Sequence, residues 1–250
     1  MIKTGKPTGL LFRLSLAAAL LPLCNHAAPA QAPPRDLIQR LDNAQLARET
    51  QLAGYHVTEH YSVLRNGNPE PVADAVVDTV YKRGEGKNYT VVSRSGSSFL
   101  QKNLIDRVLT EEKNISHGEL RKSVLVTSAN YTMEFVREER LGNRECFVLN
   151  LKPKRKSPYL INGQVWIDAR TYDIVHIEGR PSAMPSIWVG YPMIRRDYQQ
   201  LDGFSLAREA HSESKSFLLG TTVLKIDYEN YHVTPDMAGV AEDKAVESSQ

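Results

Sequence analysis

Cysteine is scarce in this sequence of 250 residues, which contains two, Cys24 and Cys146. A disulfide-stabilised scaffold needs several cysteine pairs, so that class of protein is excluded. An excess of charge of one sign is also missing, because 31 lysine and arginine residues stand against 29 acidic residues. What is present is an ordinary globular composition with 41% hydrophobic residues, which excludes a disordered chain.

The sequence has one apolar run near its start and no long one afterwards. The run Leu14–Leu23 is too short to cross about 30 Å of hydrocarbon, and no later stretch approaches about 20 apolar residues. A protein that crosses the membrane through several helices is therefore excluded. The run follows three basic residues and precedes small residues that end at Ala30, which is typical of a secretory signal. We expect residues 1–30 to be cleaved during export to the periplasm.

Removal of this segment changes the charge balance. It takes away three basic residues and no acidic ones, which leaves 28 basic against 29 acidic residues. The exported chain is close to neutral, so an overall attraction to nucleic acid is not expected.

Cys24 leaves a second interpretation of the export signal open, in which this residue carries the lipid anchor of a bacterial lipoprotein. Leu21 fits that motif, but Leu23 stands where Gly, Ala or Ser normally precedes the cysteine. Simple cleavage is therefore favoured over acylation. Cys146 has no cysteine partner in the exported chain, and we interpret it as a small packed residue.

No catalytic or metal-binding signature is present. Residues 95–98 lack the Gly-x-Ser-x-Gly elbow, and residues 84–87 lack the spacing of a phosphate loop. His56 and His60 would lie about 13 Å apart on one side of a strand, too far to share a metal ion. The sequence predicts a protein that is not an enzyme and uses no cofactor or metal.

Two stretches have the spacing of amphipathic helices. The first runs from about 36 to 51 and places Leu37 and Leu41 on one face. The second runs from about 98 to 112, and Ser98 with Gln101 three residues later is typical of a helix start. Each helix is expected to bury one apolar stripe.

About ten stretches alternate apolar and polar residues, as strands with one buried face do. They lie at about 55–64, 73–82, 87–94, 131–135, 146–151, 164–168, 175–177, 187–199, 204–213 and 220–233. The connections are mostly short turns, which require antiparallel pairing because parallel neighbours need long crossovers.

The predicted fold class is α+β. We expect a strongly curved antiparallel sheet of about ten strands, an incomplete β-barrel, with two helices that cover its concave face. One domain is expected over residues 31–235, and residues 236–250 are interpreted as a polar, flexible tail.

Two segments carry a resemblance to a known family: LGNRECFVLNLKPK at 141–154 and NGQVWIDARTYDIVHIEGRP at 162–181. The second contains Trp166 on a strand, an Asp-x-x-Thr turn from Asp168 to Thr171, and a returning strand. With the order of helices and strands, these segments resemble the periplasmic half-barrel superfamily. It includes the LolA and LolB type of outer-membrane lipoprotein carriers, mycobacterial lipoproteins that carry lipids, and the sensor domain of RseB-type regulators.

The resemblance implies a cavity for acyl chains without a metal, nucleotide or catalytic group. Strand alternation independently proposes a set of inward-facing apolar residues, which either line such a cavity or form an ordinary core. The set is Tyr131, Met133, Phe135, Phe147, Leu149, Val165, Ile167, Val175, Ile177, Leu224 and Ile226. The predicted function is a non-enzymatic binding protein that shelters lipid acyl chains or a lipoprotein anchor. The alternative is an RseB-like sensor module that binds another envelope protein.

One local concentration of charge remains, at Lys152, Lys154, Arg155 and Lys156. It is either a solvated loop between strands or a rim that meets a membrane surface or an acidic partner. At an anionic membrane each basic side chain contributes about 1 kcal/mol.

Overall fold

The computed structural model describes Met1 and residues 33–184, 191–216 and 220–236. The chain separates into two units, Met1–Gln31 and Ala32–Gln250, and the second contains the fold described below. Apart from Met1, the predicted signal peptide with Cys24 lies outside the described residues, as does the predicted tail beyond Asp236. In the described part of the chain, no helix is long and apolar enough to cross a membrane.

The helices lie near both predicted positions, with one addition. Helix α1 spans Leu37–Gln51. The second helical segment, 98–114, consists of α2 (Ser98–Leu100), a π-helical turn (Gln101–Ile105) and α3 (Asp106–Asn114). A short helix, α4 (Gly118–Val124), follows and was not predicted. It contains no buried residue, so it has no apolar periodicity for the sequence to reveal.

Ten strands form one sheet. They are β1 (Leu52–Arg65), β2 (Ala73–Lys82), β3 (Gly86–Gly96), β4 (Tyr131–Leu141), β5 (Arg144–Pro153), β6 (Ile161–Asp168), β7 (Ile174–Pro181), β8 (Met193–Leu201), β9 (Phe204–Ser216) and β10 (Gly220–Pro235). Their order is β3-β2-β1-β10-β9-β8-β7-β6-β5-β4, and every neighbouring pair is antiparallel. The sheet is not closed into a barrel, because β3 and β4 are its two edges. The predicted fold class, a curved antiparallel half-barrel with helices, is confirmed.

Turn residues explain how the chain changes direction. Gly142 has a φ of 62° in the two-residue turn between β4 and β5, where Leu141 pairs with Arg144. Gly96 has a φ of 79° between β3 and α2, and a Cβ there would lie 2.3 Å from the carbonyl oxygen of Val72. A side chain at Gly96 is excluded by this contact as well as by the backbone conformation.

Each long helical segment covers one half of the sheet. Leu37 and Leu41 of α1 pack against β4–β7, and we call this group the α1 cluster. Leu100, Ile105 and Leu109 of the helical segment 98–114 pack against β1, β2, β9 and β10, and we call this group the α3 cluster. The apolar face of the sheet is thus divided between two separate covers.

Candidate functional site: a covered apolar face and a basic groove

Seven of the eleven apolar residues predicted to face inward pack together under α1. They are Tyr131, Met133, Phe147, Leu149, Val165, Ile167 and Ile177. Leu149, Val165 and Ile167 are 0% exposed, because Leu37 and Leu41 lie against this part of the sheet. The face is therefore packed, and a ligand that used it would take the place of α1.

Three further members of the predicted set lie elsewhere on the sheet. Leu224 and Ile226 belong to the α3 cluster. Phe135 is 38% exposed on the edge strand β4, with its ring centroid 6.4 Å from that of Phe147. The predicted set is therefore not one continuous lining.

Val175 does not join Ile177 in the α1 cluster. It packs with Cys146, Val148 and Trp166 in a separate cluster. The pairing of β6 with β7 shifts between Trp166 and Ile167, which face His176 and Ile174, so Val175 is an extra residue without an opposite partner. Such a bulge interrupts the alternation of side chains, which is why a period of two misplaces this residue.

A group of four charged residues lies beside the α3 cluster, and sequence reasoning missed it. Three of the side chains are largely buried, and that of Arg196 is 38% exposed. Lys87 Nζ lies 2.5 Å from Glu112 Oε2 and 3.6 Å from Glu59 Oε1, and Arg196 Nη2 lies 3.2 Å from Glu112 Oε1. Tyr61 donates its hydroxyl to Glu59 at 2.6 Å. We call Glu59, Lys87, Glu112 and Arg196 the ionic cluster. It joins β1, β3 and β8 to helix α3.

Burial and ion pairing shift the pKa values of these groups in opposite directions. Burial alone would raise the pKa of Glu112, but Lys87 and Arg196 outweigh it, so the pKa of this carboxyl is lowered. Burial raises the pKa of Glu59, whose Oε1 makes no hydrogen bond. Burial opposes the charge of Lys87, yet Glu112 and Glu59 hold its pKa well above the ordinary value. Glu112 is thus the carboxylate that the two cations share.

One sequence signal pointed to this cluster. Glu59 occupies the inward phase of β1, between Val57 and Tyr61, and its side chain is 0% exposed. A charged residue at an inward-facing position of a strand requires a buried partner. The partner positions, from 28 to 137 residues further along the chain, are not apparent from the sequence.

The predicted rim residues come together around an open groove of about 590 Å³, which we call the basic groove. Its lining consists of Lys152, Pro153, Lys154, Arg155, Lys156, Asn162, Arg180, Pro181, Ser182 and Tyr191. Arg180 is the cation that sequence reasoning missed. It lies on β7 opposite Asn162 of β6, so sheet pairing brings it to the loop that follows β5.

Several of the groove's cations are held in place by neutral acceptors. Lys154 donates to the carbonyl oxygen of Ser128 at 2.6 Å, and Arg155 donates to Asn130 Oδ1 at 3.0 Å and to the carbonyl oxygen of Ser123. Arg180 donates to the carbonyl oxygen of Tyr191 at 2.5 Å. None of these acceptors carries a compensating negative charge.

His56, His60 and the buried cysteine have ordinary environments. His56 and His60 are 45% and 42% exposed, near Asp78 and Glu229 respectively. Cys146 is buried, and burial raises the pKa of its thiol to about 11. Among the residues that the structure describes, no group of three or more potential metal ligands is found.

Comparison with solved structures gives matches of the kind that the sequence resemblance named. A LolA superfamily protein from Nitrosomonas europaea has 10% identity and a TM-score of 0.47, with 84% of this chain and 97% of that protein covered. A domain named as an outer membrane lipoprotein-sorting protein from Vibrio parahaemolyticus has 13% identity and a TM-score of 0.45, with coverages of 78% and 91%.

The MucA/MucB complex of Pseudomonas aeruginosa also matches, with 12% identity, a TM-score of 0.25 and coverages of 80% and 93%. No family model and no curated protein matches this chain. The predicted resemblance to the half-barrel superfamily of LolA-type and RseB-type proteins is confirmed as a likeness between structures. At these identities the site is assigned from the residues of this chain alone.

Proposed function

We propose that this chain is an exported, non-enzymatic binding protein of the bacterial envelope that shelters the acyl chains of a lipid or lipoprotein anchor. The observation that carries the proposal is the α1 cluster. Its sheet residues form a continuous apolar face that is closed by one helix, and that helix buries only Leu37, Leu41 and Gln45 among its 15 residues.

The free energies of apolar burial favour the exchange of α1 for a ligand. Burial of two leucines and part of Ile38 stabilises the closed state by roughly 5 kcal/mol. An acyl chain that buries ten methylenes would gain about 8 kcal/mol on the same surface. A hydrophobic ligand can therefore compete with the helix, provided that the polar contacts of α1 allow it to move.

Those polar contacts lie in the middle and the C-terminal half of α1. Asp42 Oδ1 accepts the backbone N–H of Ser128 at 2.8 Å, and Glu49 Oε2 accepts from Arg121 Nε at 3.0 Å. Arg48 Nε donates to the carbonyl oxygen of Ser205 at 3.1 Å. The N-terminal half is held by Asp42 and by the Arg40 guanidinium over the Tyr172 ring, 5.1 Å from its centroid, whereas the end near Glu49 has an ion pair with Arg121. We propose that the N-terminal half swings away from the sheet while the end near Glu49 stays attached.

The helical segment 98–114, which covers the other part of the sheet, is less suited to opening. Helix α3 is held by the ionic cluster and by Glu111, which accepts a hydrogen bond from the hydroxyl of Tyr159. Opening there would separate buried charges, which costs several kcal/mol. The ligand is therefore expected under α1.

Mass spectrometry of the purified protein tests the proposal directly, followed by titration with a fluorescent fatty acid. We expect bound lipid in the preparation, or saturable uptake of the probe after delipidation. A protein that contains no lipid and takes up neither fatty acid nor lipopeptide contradicts the proposal.

A second candidate function, binding of another envelope protein, is favoured by the edge strand β3. Its residues 90–96 are exposed, among them Val91 at 38% and Val92 at 59%. An exposed edge strand can add a strand of another chain. A specific partner captured by the protein and lost in Val92→Lys, with fatty acid binding unchanged, would support this function over the first.

A further inference from the structure

The basic groove gathers positive charge on one part of the surface. Five cationic side chains line it: Lys152, Lys154, Arg155, Lys156 and Arg180. Among the described residues, no carboxylate forms an ion pair with any of them, whereas Lys87, Arg121 and Arg196 each have a carboxylate partner. Like charges that converge in one concavity create a positive potential there and attract anions.

Carboxylates on the strands near the groove do not neutralise this charge. Glu178 lies two residues before Arg180 on β7, but its Oε2 lies 3.5 Å from Arg195 Nε. Glu134 is exposed on the edge strand β4, and the described residues show no ion pair between it and a groove cation. The groove therefore keeps its positive potential.

Two of the groove's arginines are oriented by neutral groups. Asn130, which is 5% exposed, accepts from Arg155 Nη1 at 3.0 Å, and its own Nδ2 donates to two backbone carbonyl oxygens at 2.9 Å each. Arg180 Nη1 donates to the carbonyl oxygen of Tyr191 at 2.5 Å. An arginine carries five N–H donors, so both guanidinium groups keep donors for an anion.

The strand residues of the groove lie on the outer face of the sheet, opposite the α1 cluster. Successive side chains of a strand point to opposite faces. Leu151 of β5 belongs to the α1 cluster, so Lys152 points to the other face. Ile161 of β6 packs against the same cluster, so Asn162 and its partner Arg180 also lie on the outer face. A contact made through the groove therefore does not cover α1.

Exposed apolar side chains lie at the rim of the groove. Tyr191, which lines the groove, is 48% exposed, and Met184, two residues after the lining residue Ser182, is 47% exposed. Tyrosine is enriched at membrane–water interfaces, where its ring lies at the level of the lipid head groups. Basic residues attract anionic head groups, and apolar side chains next to them gain from burial in the interface. The groove and its rim offer both kinds of contact.

An extended acidic segment of another protein fits this surface less well. Strands β5, β6 and β7 each have a neighbouring strand on both sides, so their backbone groups are paired within the sheet and cannot add a strand. Such a segment would be held by side chains alone. A bilayer surface contacts the cations together with Tyr191 and Met184.

We propose that the basic groove, with Tyr191 and Met184 at its rim, docks the protein on a membrane surface that contains anionic phospholipid. The cations contact the phosphates of the head groups, and the two rim side chains enter the interface between head groups and acyl chains. This inference goes beyond the proposed function, because docking does not require that α1 opens or that an acyl chain leaves the bilayer.

Sedimentation with sucrose-loaded vesicles tests the inference. One set of vesicles contains equal parts of phosphatidylglycerol and phosphatidylcholine, and the other contains phosphatidylcholine alone. The protein is used without residues 1–30, because their three basic residues and apolar run would themselves bind anionic lipid. The unit Ala32–Gln250 contains the whole described fold.

Three variants separate the contributions to docking. Lys152→Gln/Arg180→Gln, the groove variant, removes two groove cations. Lys102→Gln/Arg170→Gln removes one exposed lysine and one exposed arginine elsewhere and is the matched control for net charge. Tyr191→Ser removes the aromatic ring but keeps the carbonyl oxygen that accepts from Arg180.

We expect binding to the anionic vesicles that weakens as salt is added, and much weaker binding to the neutral vesicles. The groove variant should lose about 30-fold in its partition coefficient, as the loss of two cations at an anionic surface implies. The control should keep most of the affinity of the unmodified protein. Tyr191→Ser should bind more weakly at every salt concentration, because burial of the ring is not electrostatic.

Equal binding to the two kinds of vesicle, or an equal loss in the groove variant and the control, overturns the inference. Polyglutamate is a further probe. If it binds the unmodified protein and not the groove variant, while anionic vesicles do not bind, the groove is a site for an acidic protein and the membrane inference is wrong. Circular dichroism of each variant establishes that the fold is retained.

Failure of the proposed function has a different signature. The groove variant should keep the binding of a fluorescent fatty acid, because the groove and the α1 cluster lie on opposite faces of the sheet. A protein that binds anionic vesicles through the groove but takes up neither fatty acid nor lipopeptide has the docking surface and lacks the acyl-chain function. A protein that takes up fatty acid but shows no preference for anionic vesicles has the acyl-chain function and lacks the docking surface.

Discussion

Lys87 of β3 donates to Glu112 of α3, with Nζ 2.5 Å from Oε2, and this contact ties a helix to the edge strand of the sheet. Arg196 of β8 reaches the other oxygen of the same carboxylate at 3.2 Å. Glu112 therefore holds cations from two distant strands. Helix α1 has no comparable buried ion cluster where Leu37 and Leu41 meet the sheet, and the two covers of the apolar face should respond differently to mutation.

Glu112→Gln should destabilise the protein strongly. It leaves Lys87 and Arg196 without their shared counter-charge, and removal of one partner of a buried ion pair costs about 3–5 kcal/mol. The free energy of unfolding in urea measures this loss. Glu119→Gln is the control, because Glu119 is 87% exposed in its pair with Lys122 and such pairs contribute little.

Removal of the charge at Lys87 as well should recover part of that loss. In Lys87→Met/Glu112→Gln, compared with Lys87→Met and Glu112→Gln alone, Glu59 and Arg196 remain as one carboxylate and one guanidinium, so the net charge of the ionic cluster stays balanced. The double variant should therefore lose less stability than the sum of the single variants. Simple additivity would show that Lys87 and Glu112 are not energetically coupled.

Glu49→Gln should give a pH-dependent loss of stability. Burial would raise the pKa of Glu49, but the hydrogen bond and charge of Arg121 outweigh it, so the pKa of this carboxyl in the folded protein lies below its ordinary value. The carboxylate therefore contributes stability above that value, and the contribution is lost as the pH falls through the folded pKa.

The expected cost of Glu49→Gln is about 2 kcal/mol near neutral pH, and it should shrink towards zero below both pKa values. Urea unfolding across this pH range measures the change. Glu85→Gln, at a side chain that is 63% exposed, should show a small effect at every pH. A loss for Glu49→Gln that is the same in acid and at neutral pH would contradict the role of the Arg121 pair.

Leu41→Ala should increase affinity for a fluorescent fatty acid. The substitution weakens the closed position of α1 by about 2 kcal/mol, and the ligand competes with that position, so binding should tighten by up to about 30-fold. Leu109→Ala removes a buried leucine from α3 and serves as the matched control. Equal effects of the two substitutions, or weaker binding in Leu41→Ala, would argue against opening at α1.

Cys146 should resist thiol reagents in the folded protein. Its side chain is 1% exposed, and burial raises the pKa of the thiol to about 11, so almost no thiolate is present at mildly alkaline pH. Labelling with a chromogenic disulfide reagent should be slow in buffer and fast in urea. Rapid stoichiometric labelling of the native protein would show that Cys146 is not a buried, packed residue.

Local patterns predicted the elements of this fold well. Alternation located the ten strands of the described residues, and Gly142 marked the turn between β4 and β5. Positions 187–190 of the predicted strand 187–199 lie outside the described residues. Four-residue spacing located α1 and the segment 98–114, because both bury one face. Helix α4 was missed since it buries no side chain, and Val175 was misplaced because a bulge interrupts the alternation.

The site was predicted less completely for a related reason. Four groove cations, from Lys152 to Lys156, are close in sequence and could be recognised together, whereas Arg180 joins them only through the pairing of β6 with β7. Glu59 is a charged residue among the inward-facing positions of β1, a signal that the sequence analysis did not use, and its partners lie on other elements.

By itself, the sequence determined the strands, the two long helical segments, the near-neutral charge expected once residues 1–30 are removed, and the local basic loop. Each of these depends on residues within about a dozen positions of one another. Only the tertiary structure decided that α1 covers β4–β7 and that Lys87 and Arg196 meet at Glu112. Periodicity assigns a side chain to a face of its own strand, but contacts between distant elements follow from strand order, register and bulges, which depend on the pairing of the whole sheet.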